Sequence, residues 1–291
     1  MAFTVNVERG LQVAQQLGTA WVEGSFSARQ LEDQAVRELY RSGTSEVVSD
    51  LLNVLALTPD QAQPTLAPHR LVNTQAIVMN NTLGGWPNHR WLLWTAMGSE
   101  IKEVFGDFIE RDNKNVPANV ESIHEANKAE VLRVMWDLAR VPDQPGELRR
   151  SLVWDPSRDD TCLPELVLNY MARPLTSVNG SAVDYVVQGK VAAAGILFDL
   201  VEDRYEGSNP HGQSPIAKVM LERGLYTGIS QALVDFSAKG KSEARTMLIL
   251  ALNFMAANPQ VRPLIEEMIT KDPTLEAERT NFIDGKLIAS T

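Results

Sequence analysis

Two windows decide the fold: Val191-Ala-Ala-Ala-Gly-Ile-Leu-Phe-Asp-Leu-Val201 and Ala244-Arg-Thr-Met-Leu-Ile-Leu-Ala-Leu-Asn-Phe-Met255. Each is long enough for three turns of helix and is apolar around most of its circumference. Each is interrupted late by a single carboxylate or amide, Asp199 or Asn253. A helix of this kind has almost no face that water can wet, so it must be covered on most sides. Stacked helical pairs do this, because an inner helix touches its own pair and both neighbours.

Outward from these windows the helical period persists. Leu31, Ala35, Val36 and Leu39 form one stripe over 28–41, and Val47, Val48, Leu51, Leu52 and Leu55 form another over 45–57. Helices are expected at 69–83, ending at Gly84-Gly85-Trp86-Pro87, and at 89–111. A helix at 120–141 carries Val120, Ile123, Ala126, Val131, Val134, Met135 and Leu138 before Pro142. The stretch 142–164 holds prolines at 142, 145, 156 and 164 and is the natural place for a long connection or a sub-boundary. Helices resume at 163–173, 181–204, 214–223, 225–238, 241–257 and 259–270. Pro259 and Pro263 fall near the start of the last, where proline is tolerated. The tail 284–291 reads as mobile. Phe3 to Val7 alternates but is short, and no strand–helix–strand rhythm appears. The expected fold class is all-α, with residues 1–291 as a single domain.

The polar interruption recurs. Asn80, Asp137, Asp199 and Asn253 each sit late in an apolar helix, at spacings of 57, 62 and 54 residues. These exceed the roughly 40–47 residues of armadillo or HEAT units. Loops at 110–119, 142–164 and 207–213 would supply the excess. Residues 214–270 resemble an armadillo repeat more closely. Ser214-Pro215-Ile216-Ala217-Lys218-Val219-Met220-Leu221-Glu222-Arg223-Gly224 is similar to that family's helix ending in glycine. Leu225 to Ala238 is similar to its second helix, and Lys239-Gly240-Lys241-Ser242 stands where the family has a charged loop. Ala244 to Asn258 is similar to the third helix, with Asn253 near the family's peptide-contacting asparagine. The resemblance is looser over 163–205, and upstream of 160 only the rhythm is shared. It implies a right-handed α-solenoid of armadillo/HEAT-like repeats, here with irregular long loops, whose concave groove binds an extended peptide or a partner domain. Asp137 and Asp199 depart from the asparagine pattern, and a carboxylate accepts hydrogen bonds without donating them.

Asn80, Asn81, Trp86, Trp136, Asp137, Asp199 and Asn253 are therefore the candidate partner-binding residues. The competing reading makes each polar member a solvent-facing or loop-satisfying residue, and the tryptophans core fillers. Trp91 and Trp94, three residues apart, share a face and read as core. Trp86, in its Gly-Gly-Trp-Pro turn, is the better surface candidate.

Catalytic and metal constellations are not found in the sequence. His69, His89, His124 and His211 show no ligand spacing. Asp155, Asp159 and Asp160 lack the glycine an EF-hand turn requires. Cys162 stands alone, which removes intramolecular disulfides and thiolate zinc sites, and it reads as a small buried residue. No cofactor, no metal and no enzymatic activity are expected. The net charge of −10 opposes a nucleic-acid or anionic-membrane partner and favours a basic segment on a partner protein. Met1 to Gly10 carries no basic segment followed by an apolar run, so no secretory leader is expected. The longest apolar run, Met247 to Leu252, is far short of the roughly 18 residues a membrane span needs. The expected compartment is a reducing one, the cytoplasm, with the nucleus chemically equivalent. The expected function is a scaffold, adaptor or chaperone-like binding module. The rival is a structural subunit of a larger or self-assembled complex, and an all-helical enzyme or a nucleoprotein stands behind both.

Overall fold

A computed structural model describes residues 6–12, 49–50, 53, 106, 108–110, 118–139, 163–178, 180, 182–201, 227–256, 259–271, 282–283 and 286–287. The described residues are helical apart from turns and one short hairpin. The helices are α1 (Ala118–Ala139), α2 (Leu163–Ala172), α3 (Val183–Val201), α4 (Thr227–Ala238), α5 (Ser242–Ala256) and α6 (Arg262–Lys271). The expected helices over 28–41, 69–83 and 214–223 lie outside the described residues. So do most of 45–57 and of 89–111, although residues 49–50, 53, 106 and 108–110 are helical.

The chain forms two compact units. One comprises Met1–Val141 with Asn179–Gly189, and the other Pro142–Val178 with Lys190–Thr291. The sequence passes between them within α3.

In the first unit, Asn6 starts a helical segment at 7–12. Its side-chain oxygen accepts the backbone N–H of Arg9 at 2.9 Å, an N-cap that satisfies one of the donors a helix start leaves open. Asn6 donates its own N–H to Oδ1 of buried Asn53 at 2.9 Å. Arg9 grips Asp50 with two bonds of 2.7 and 2.6 Å. Helix α1 is buried by Ala129, Val131, Leu132, Val134, Met135 and Ala139. His124, Glu125, Asn127 and Lys128 are buried as well, and the His124 ring stands edge-on to Phe108 with centroids 5.4 Å apart. Glu130 bonds Arg133 one turn on at 2.6 Å. Burial pushes the Glu130 carboxyl above its ordinary range, and Arg133 opposes that.

In the second unit α4 packs against both α2 and α5. Leu166, Val167 and Met171 of α2, Ile229, Leu233 and Phe236 of α4, and Leu248, Ile249 and Leu252 of α5 are all buried. The approach of α4 to α2 depends on Gly228. A Cβ placed there would lie 2.1 Å from the carbonyl oxygen of Leu168, so only glycine lets the two backbones come this close. Helix α4 ends in a Schellman turn. Gly240 takes φ 64°, the Lys241 N–H reaches the Phe236 carbonyl at 2.9 Å, and the Gly240 N–H reaches that of Ser237 at 3.4 Å. The stretch Lys239-Gly240-Lys241-Ser242, read in sequence as a charged loop, thus reverses the chain between α4 and α5 with a defined hydrogen-bond pattern. Pro263 falls in the first turn of α6, as its fixed φ favours.

Helix α3 is enclosed where the sequence demands it: Ala192 to Leu197 are six consecutive buried residues, more than a full turn. Helix α5 is not. Leu250 is 40% and Phe254 46% exposed, so one arc of this helix faces outward. The expectation that 244–255 would be covered on most sides fails on that arc.

Phe282–Ile283 and Lys286–Leu287 form an antiparallel pair, Phe282 opposite Leu287 and Ile283 opposite Lys286, and the second strand packs on α5. This departs from the expectation of a free tail from Asp284 onward.

Candidate functional site

Two of the sequence-predicted residues neighbour, in sequence, a ring pair that links α3 to α5. The rings of Phe198 and Phe254 meet with centroids 6.2 Å apart and planes inclined by 57°. Asp199 follows the first ring in sequence and Asn253 precedes the second. Both are half-buried, and each takes part in interactions within the protein. Leu250 lies one turn before Phe254 on the same face of α5, and the result is an apolar strip with a polar margin. Such a surface can hold an apolar side chain of a partner and orient it by hydrogen bonds at the edge.

The other candidates are placed less fully. Trp136 is half-buried on α1, where it makes further contacts within the protein, and Asp137 falls in the last turn of the same helix. Both belong to the first unit. Asn80, Asn81 and Trp86 lie outside the described residues, as do Cys162, His69, His89, His211 and the acidic loop of Asp155, Asp159 and Asp160. His124, read in sequence without a ligand partner, is buried beside Phe108. Among the described residues, no group of three or more His, Cys, Asp or Glu is placed to hold a metal ion. Among them, too, no helix is long and apolar enough to cross a membrane.

The strongest polar arrangement in the second unit was not singled out by the sequence. Lys190, on α3, has a side chain with 0% exposure and donates to Asp235 of α4, itself buried. Its ammonium also donates to the Arg173 carbonyl at 2.6 Å, and Gln231 donates to the second Asp235 oxygen at 3.0 Å. Arg173 directly follows the carboxyl end of α2, where helix carbonyls lack partners and the dipole is negative. One cation thus closes the end of α2 and ties α3 to α4. Burial pushes the Lys190 amine below its ordinary value of 10.5; the bond to Asp235 and its charge oppose that shift, and nearby Arg173 adds to it. An enclosed, ion-paired ammonium fastens the elements that it bonds. A lysine set between Val186-Val187 and Val191-Ala192, away from the face that carries Asp184, Gln188 and Asp199, is the sequence signal that marks it.

Comparison of the chain with protein-family models, with curated proteins and with solved structures found no match.

Proposed function

We propose that this chain is a non-catalytic protein-interaction module, a scaffold, adaptor or chaperone-like component, that binds a segment of a partner protein on the α3/α5 face. One observation carries the reading. Leu250 and Phe254 stay exposed and Met247 half-buried on a helix whose other apolar residues are buried, with Phe254 against the ring of Phe198. In this reading the helices belong to a right-handed α-solenoid of armadillo/HEAT-like repeats. The reversal at Gly240 and the enclosure of α3 support it, since both are what serial stacking of helical hairpins requires.

The net charge of −10 favours a basic partner segment over nucleic acid or an anionic membrane. The single cysteine suits a reducing, cytoplasmic setting.

The test is affinity purification from native cells with the wild type beside Leu250→Asp with Phe254→Asp, and beside Asp199→Lys. A partner captured by the wild type and lost with both variants, while far-UV circular dichroism and thermal midpoint stay at wild-type values, supports the reading. A partner retained by the correctly folded variants rejects this face.

A further inference from the structure

We draw no further inference here: the strongest candidate, the exposed arc of Leu250 and Phe254 on α5, belongs to the surface already described, and nothing in the structure shows what covers it.

Discussion

Replacing Lys190 by methionine keeps the linear stem and removes the ammonium. Asp235, 5% exposed, is then left buried with Gln231 as its remaining donor from this cluster, and the Arg173 carbonyl loses the donor that closes α2. Removing one partner of a buried ion pair typically costs about 3–5 kcal/mol, because an uncompensated charge stays behind. Asp235→Leu strands the ammonium in the same way and costs a similar amount. Combining the two removes both charges. The desolvation of two ions no longer opposes folding, and what is lost is the bonds to Arg173 and Gln231, about 1 kcal/mol each. The double variant is therefore expected within ~2 kcal/mol of the wild type, far from the sum of the singles. Urea unfolding followed by far-UV circular dichroism measures all four corners of the cycle. A Lys190→Met variant that loses less than about 1 kcal/mol, or a double variant that loses the sum of both singles, would refute the fastening argument.

Other outcomes follow from the same geometry. Gly228→Ala drives a methyl into the Leu168 carbonyl, so α2 and α4 must separate; a loss of about 3 kcal/mol is expected despite the gain in helix propensity. Gly106→Ala, where an added Cβ meets nothing within 4 Å, is expected to stabilise by ~0.5–1 kcal/mol, and chemical denaturation of both variants checks the opposite signs. Gly240→Ala forces a side chain into φ 64° and should cost ~1 kcal/mol, read as a lowered thermal midpoint. For Lys190, whose amine titrates below 10.5 when folded, the unfolded chain binds more protons between the folded value and 10.5. Its contribution to stability therefore rises with pH across that window and is constant below it. The difference in unfolding free energy between the wild type and Lys190→Met with Asp235→Leu should show that rise, and a flat difference would contradict the assignment.

The helical class was legible because period and punctuation agreed. Pro142 follows α1 closely, Gly240 ends α4, and Pro263 sits in the first turn of α6. The pairing of Lys190 with Asp235 was not legible, because 45 residues of chain separate two charges that each look merely misplaced. Gly228 near the start of α4 reads as a weak helix former, and only its distance to Leu168 shows why glycine is needed. The hairpin had a signal that was passed over. Asp284-Gly285, between Ile283 and Lys286, is the dipeptide that favours a two-residue turn. Helix α5 teaches the opposite lesson. An all-apolar helix announces that it wants cover, yet the sequence cannot say whether its own chain supplies all of it. Asp199 and Asn253 were singled out by their matching positions in two greasy helices, and each stands next in sequence to one ring of the Phe198–Phe254 pair.

The account turns on the open arc of α5, and residue-resolved carbene footprinting of the dilute chain measures it directly. Leu250 and Phe254 should label strongly while Leu248, Ile249 and Leu252 stay protected, and the labelling should fall as a partner takes the face. Leu250 and Phe254 as protected as Leu252 in the dilute chain would contradict it.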